Sequence, residues 1–355
     1  MRKKYSLTVM LLLVMIIAAC SSEKIEEKEG TEKKSDKQQE KVVLKFATHS
    51  ADNNPLVINT LKPFMKQVEE LTDGQVEFEF YPGEQLGKAA DLLDLTNDGV
   101  TDMGYYIAAY TPSQMPIANA IGPIPGIYTK IYEGSMAFHE LSKQSPMLES
   151  DFLSNGVRPL FSYVSSQTEF WSKGVEIKVP NDLKGLKVRV AGNFANKSLA
   201  ALGATPINLP LQETYEGFQR GVFDVNNMNT PSVKDFGLDE IITYGTSGTD
   251  FGSLLTGIVI NEKRFNELPE NVQEVLVQVG DEFTASSAKF YDEYTVGLIK
   301  EFEDAGITMH ELTKEEKQEW KKFYDTSIEK WVEDQSSDDF HEALEIFKEA
   351  VEKYK

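Results

Sequence analysis

Residues 186–224 read LKVRVAGNFANKSLAALGATPINLPLQETYEGFQRGVFD, and their punctuation sets an alternation of strand and helix. Leu186–Val190 is a short run with the β-branched content that suits a strand. Asn193–Leu202 repeats apolar residues at helical spacing and stops at Gly203, a residue fitted to the left-handed turn after a helix. Thr205–Leu209 is the next strand, and Glu213–Arg220 is a helix ended by Gly221. Val222-Phe223-Asp224 then enters a further strand. Strands joined by helices of this length predict parallel βαβ units.

The same order occurs nearer the start. Val42–Thr48 reads as a strand, bounded by Ser50, Asn53, Asn54 and Pro55. A helix over about 56–72 follows, with Leu61, Phe64, Met65, Val68 and Leu71 on one face. Asp73-Gly74 is a turn, Val76–Tyr81 alternates as a strand does, and Leu86–Asn97 is helical with Gly99 beyond its end. Both passages place Gly-Val-x-Asp after a helix, at Gly99–Asp102 and Gly221–Asp224. The expectation is an α/β fold of two like lobes, with strand C-termini facing a shared ligand cleft. Ile258–Asn261 reads as a strand end. Leu268-Pro269-Glu270 opens a helix reaching about Asp304, long enough to span both lobes. The last 43 residues read as two amphipathic helices, the first packing Trp320, Phe323, Tyr324, Ile328 and Trp331 into a core. The lobes are expected at 42–165 with about 250–290, and at 166–249 with about 291–355.

Ahead of the lobes stand Arg2, Lys3 and Lys4, then an apolar run from Leu7 to Ala19 that is too short to span a bilayer comfortably. It ends in Ile17-Ala18-Ala19-Cys20, and Cys20 is the only cysteine of the chain. This pattern resembles a bacterial lipobox: a signal peptide at 1–19, cleavage before Cys20 and lipidation of its thiol. Residues 21–41 hold seven acids and six bases with almost no apolar side chains, a composition that cannot bury enough surface to fold and reads as a spacer.

The 355 residues carry 57 Asp and Glu against 36 Lys and Arg, a formal charge of −21. Without the three bases of the signal the remainder stands at −24, all but −1 of it on the lobes. Such a charge repels phosphate backbones, which disfavours nucleic-acid binding. A mean hydropathy of −0.35 excludes a polytopic membrane protein. The four histidines (His49, His139, His310 and His341) form no metal-ligand spacing, and no HExxH, GxSxG or phosphate-binding loop occurs. No enzyme, metal or cofactor is expected. His49, after the first strand, reads either as a ligand hydrogen-bonding residue or as a helix-entry residue. Arg189 interrupts an apolar strand just before the Gly192-Asn193 turn. It reads either as a bidentate carboxylate clamp or as an edge-strand arginine reaching solvent.

Asp182–Val190, Ala201–Pro206, Glu213-Thr214-Tyr215 and Gly221–Asp224 together resemble the signature of TRAP-type solute-binding proteins, the receptors of tripartite ATP-independent transporters. Phe80–Gly87, Asp91-Leu92-Leu93, Gly99–Met103 and Phe265–Pro269 are similar to the same family. The resemblance covers about residues 43–350. It implies a two-lobed periplasmic-binding-protein-like fold that closes on an organic acid and delivers it to the small and large permease subunits. It also implies an extracytoplasmic location, with Cys20 tethering the receptor to the outer face of the cell membrane. In the family the strand arginine, here Arg189, pairs with the ligand carboxylate. A polar residue after the Gly-Val-x-Asp motif adds a contact, here Asn226, Asn227 or Asn229. Thr48, His49, Tyr105 and Tyr106 stand where other contacts arise, and Asn193 opens the helix beyond Arg189. Many members carry a second arginine about 20 residues before the first, where this chain has Gln167–Trp171. The departure implies a ligand with one carboxylate and more apolar surface, faced by Tyr105, Tyr106, Phe170 and Trp171. A receptor for an ATP-driven importer, a sensory partner of a membrane receptor and a surface hydrolase or lyase are the other classes compatible with the chain.

Overall fold

Alternation decides the first strand. β1 (Val42–Ala47) buries Val42, Leu44 and Phe46 while Val43 and Lys45 face water. In the computed structural model, which describes residues 41–355, this pattern is the start of two separate sheets. The expected signal peptide, Cys20 and the expected spacer as far as residue 40 lie outside the described residues.

The first sheet has the order β2-β1-β3-β10-β4, with β2 at Val76–Tyr81, β3 at Met103–Ile107, β4 at Val157–Val164 and β10 at Leu255–Asn261. The second has the order β11-β9-β5-β8-β6-β7. Its strands are β5 (Thr168–Ser172), β6 (Lys187–Val190), β7 (Thr205–Asn208), β8 (Val225–Asn229), β9 (Tyr244–Ser247) and β11 (Thr308–Glu311). Each sheet is parallel apart from one strand: β10 runs against β3 and β4, and β5 runs against β8 and β9. Those two strands are the ones the chain enters on crossing between lobes. The crossing segments are bonded to each other, Ser165 N to Leu254 O at 2.9 Å and Thr168 N to Gly252 O at 2.8 Å.

The repeated Gly-Val-x-Asp has one structural cause in both lobes. Gly99 (φ 72°) and Gly221 (φ 70°) supply the left-handed turn that ends the preceding helix, α2 (Leu92–Asn97) in one lobe and α6 (Thr214–Gln219) in the other. The aspartate then clasps the neighbouring strand. Asp102 Oδ2 accepts from Lys45 N at 2.8 Å, and Asp224 Oδ2 accepts from Lys187 N at 2.8 Å. In return the Asp102 and Asp224 amides donate to the carbonyls of the same two lysines.

Helices cover the sheets. In the first lobe they are α1 (Lys62–Leu71), α3 (Pro116–Ile121), α4 (Ile131–Ser142) and α8 (Glu262–Glu267). In the second, α5 (Asn193–Leu202) and α7 (Thr230–Asp235) follow β6 and β8. The long helix α9 runs from Glu270 to Asp304 and serves both lobes. Its first half sets Phe283 edge-on to Phe64 of α1, and its second half carries Phe302 against Trp171 of β5. Gly280 lets α9 approach β4, because a Cβ there would lie 1.9 Å from the Leu160 carbonyl oxygen. α10 (Lys314–Glu333) places Trp320 in the core, stacked on Phe170 at 5.3 Å, so its aromatic stripe is packing as expected. α11 (Asp338–Tyr354) differs from its expected place with the second lobe. It lies on α3 and α4, with Phe347 edge-on to Tyr128 and both Lys353 and Tyr354 bonded to Glu140. Its buried stripe, including Phe340, Leu344 and Phe347, finds apolar surface there.

Candidate functional site

The C-terminal ends of β1, β3, β6 and β8 meet at the seam between the sheets, and two cavities lie along it. The smaller, about 70 Å³, takes His49 and Asn54 from the segment after β1, Tyr105 from β3 and Tyr163 from β4. Across from them stand Leu211, Asn229 and Asp235 of the second lobe, with Tyr291 of α9 alongside. The larger, about 510 Å³, is lined by Tyr110 and Lys88 from one lobe and by Val190, Asn193 and Leu209 from the other.

Arg189 is buried in β6, with 1% of its surface exposed. Its Nε and Nη2 donate to the Leu209 carbonyl at 2.9 and 2.6 Å, and Nη1 donates to the Asn227 carbonyl at 3.2 Å. The Tyr110 hydroxyl sits beside the guanidinium and also accepts from Leu211 N at 3.2 Å, so it joins the lobes. Among the described residues no carboxylate lies within ion-pair distance of Arg189. Burial pulls its pKa down, opposed by Tyr110. The edge-strand reading fails because β6 is flanked on both sides, by β7 and β8.

The other expected contacts divide. His49 lines the smaller cavity with its ring 5.5 Å from that of Tyr105. Burial pushes its pKa down to about 4, against the opposing charge of Glu84, so the ring is neutral near pH 7. Tyr105 bonds Thr256 Oγ1 at 2.9 Å and the Tyr163 hydroxyl at 3.2 Å. Asn229 caps α7 by accepting from Ser232 N at 3.0 Å, which leaves its amide NH₂ for the cavity. Asn227 instead ties β8 to β5 by donating to Thr168 Oγ1 and Glu169 O. Asn226 is fully buried, 3.7 Å from the Met228 sulfur, with Oδ1 unpartnered. Thr48 is buried and accepts from Ser50 N, shaping the turn that presents His49. Asn193 faces the larger cavity.

Three aromatic residues depart from expectation. Tyr106 points away from Tyr105, as strand alternation requires, and packs on Phe152 with its hydroxyl on Ser162. Phe170 stacks on Trp320, and Trp171 donates Nε1–H to the Met228 carbonyl inside the second core. None of the three lines either cavity. Glu169, about 20 residues before Arg189, accepts from Thr246, Gly248 and Thr249 and holds that turn. Tyr110, Tyr163, Asp235 and Tyr291 were not singled out from the sequence. Each comes from a helix or a strand end whose own pattern reads as packing.

The model of bacterial extracellular solute-binding protein family 7, DctP, matches residues 46–335. The chain belongs to this family. Family 7 relatives include the C4-dicarboxylate-binding periplasmic protein DctP of Rhodobacter capsulatus, 27% identical over 79% of this chain and 84% of that one. A solute-binding protein of Albidiferax ferrireducens is 24% identical over 76% of each chain. Among solved structures, a marine-metagenome TRAP solute-binding protein specific for aromatic acids, in complex with 3-hydroxybenzoate, superposes with a TM-score of 0.82. It is 25% identical, and the match covers 89% of this chain and 99% of that one. A Rhodoferax ferrireducens TRAP protein in complex with benzoate has a TM-score of 0.81 at 24% identity, covering 88% and 98%, and shows the shared fold. This family 7 member is therefore an extracytoplasmic receptor of TRAP transport and not an enzyme, with membrane permease subunits as its partners. No described helix is long and apolar enough to cross a membrane.

Proposed function

We propose that the cleft captures a compact organic acid with one carboxylate and an apolar body, held by Arg189 and the amide of Asn229. Arg189 carries this reading. A buried guanidinium without a counter-charge is costly, and a bound carboxylate supplies that charge with matching bidentate geometry. Arg189 stands behind the walls of both cavities, bonded to Leu209 and beside Tyr110 of the larger one, with Tyr110 bonded in turn to Leu211 of the smaller. No second arginine or lysine lines the smaller cavity, which favours one carboxylate over two. Tyr105, Tyr163, Tyr291 and Leu211 offer the apolar surface. The 3-hydroxybenzoate complex of the aromatic-acid receptor agrees with such a ligand. The lobes close by bending at the paired crossings near Ser165 and Leu254 and within α9. The sequence around Cys20 supports cleavage after Ala19 and a lipid tether through residues 20–41.

Calorimetry with benzoate, 3-hydroxybenzoate and succinate tests the clamp. Arg189→Ala loses affinity for the best ligand by about a hundredfold or more, since truncation of a buried charge partner removes several kcal/mol. Arg189→Lys keeps the charge without the fork and remains at least tenfold weakened. An Arg189→Ala protein that melts normally and binds with unchanged affinity overturns the reading. Mass spectrometry of membrane fractions tests the tether: Cys20→Ala abolishes the lipid-modified peptide and releases the protein.

A further inference from the structure

Three buried polar atoms around the smaller cavity have no protein partner: His49 Nδ1, Ser166 Oγ and Asp235 Oδ1. Asn54 approaches the Asp235 carboxylate, yet Oδ1 stays unpaired. Buried polar groups are normally hydrogen-bonded, so such groups converging on a cavity between the lobes mark where a ligand atom belongs. Asp235 ends α7, and Asn229 caps its start. At about 1.5 Å per residue the two lie roughly 9 Å apart along the helix, close to the length of a small substituted acid.

Resting on the carboxylate reading above, we propose that Asp235 forms a second polar pole that selects acids bearing a hydroxyl or N–H group remote from the carboxylate. An ionised carboxylate only accepts, so its complement is a donor. A ligand lacking the donor leaves Oδ1 buried and unpaired, and sites built this way discriminate strongly against the deleted group. His49, neutral with an unpartnered Nδ1, flanks the same position without adding charge.

The titration behaviour separates this role from packing. Burial pushes the Asp235 carboxyl up to about 7. His49 is pushed down to about 4, and Tyr105, Tyr163, Tyr291 and Tyr294 are pushed up by burial. Lys234, beside Asp235 on α7, is occupied by Asp239 and Glu301. Asp235 is therefore the group at this cavity that titrates between pH 5.5 and 8, and the preference for a donor weakens as pH falls through its pKa.

Calorimetry with matched pairs tests the proposal: 3-hydroxybenzoate against benzoate, 4-hydroxyphenylacetate against phenylacetate, and indole-5-carboxylate against benzofuran-5-carboxylate. Wild type prefers the donor-bearing member of at least one pair by about tenfold or more at pH 8, and the preference shrinks several-fold at pH 5.5. Asp235→Leu binds the donor-free member within about threefold of wild type and loses the preference. Asp235→Asn, which keeps an acceptor and the volume, retains a preference that no longer changes with pH. Equal affinity of wild type for both members of every pair overturns the proposal and leaves the carboxylate reading standing. So does a preference, or its pH response, that survives both substitutions. Failure of wild type to bind any of the six acids at millimolar concentration overturns both.

Discussion

Tyr110 shows how much one hydroxyl can decide. It sits beside Arg189 and accepts from Leu211 N, and so connects the first lobe to two parts of the second. Tyr110→Phe keeps the ring and removes both bonds. A bond to a charged group contributes about 1.5–3 kcal/mol. Part of that is recovered when Arg189 turns fully to the ligand. We expect affinity for a bound acid to fall about three- to tenfold in calorimetry, with the melting temperature of the ligand-free protein little changed. An unaltered dissociation constant would show that the hydroxyl does not contribute to the closed state. At this scale the sequence was partly legible. Arg189 and His49 stood out because a charge inside an apolar strand and a histidine at a strand end are unusual. Asp235 did not, because one acid in a chain with 57 Asp and Glu carries no signal until burial singles it out.

At the scale of elements, the duplicated Gly-Val-x-Asp is the clearest example of a motif with a structural cause. Asp102 and Asp224 each hold the backbone of the adjacent strand by a charge-assisted bond. Asp224→Ala should destabilise the protein by about 1–2 kcal/mol in urea unfolding, and Asp102→Ala by slightly more, because Asp102 also faces Arg264 at 3.4 Å. A midpoint shift in only one of the two variants would contradict the shared role. The elements themselves were well marked where glycine ended a helix, as at Gly99, Gly203 and Gly221. β4, β5 and α4 were not recognised. Their residues are almost entirely buried, and fully buried segments lack the alternation that reveals an exposed face.

For the whole molecule, function requires that open and closed states differ by only a few kcal/mol, so that a ligand shifts the balance. The connections between lobes fit this: two crossing segments bonded to each other, one helix passing between the lobes, and a cleft lined from both sides. Small-angle scattering should show a smaller radius of gyration at saturating ligand, and Arg189→Ala should abolish the change. An unchanged radius for wild type at saturation would rule out closure as the response. The net charge of −21 works against capture, since an acidic exterior repels an anion at long range. Affinity therefore rests on short-range geometry, where salt screens little.

The sequence by itself determined the α/β class, the two-lobed repeat and the family, and it marked Arg189 as a charge inside an apolar strand. These depend on local signals: where glycine permits a left-handed turn, where apolar spacing changes from two to 3.6, and where a charge interrupts a strand. Tertiary structure alone decided which side of each buried strand faces the ligand. It turned Tyr105 to the cleft but Tyr106, Phe170 and Trp171 into the cores, and it brought Asp235 and Tyr291 to the smaller cavity and Tyr110 to the larger from distant positions. The physical reason is that a strand buried on both faces has no polar side to orient it, so its facing is set only by what packs against it.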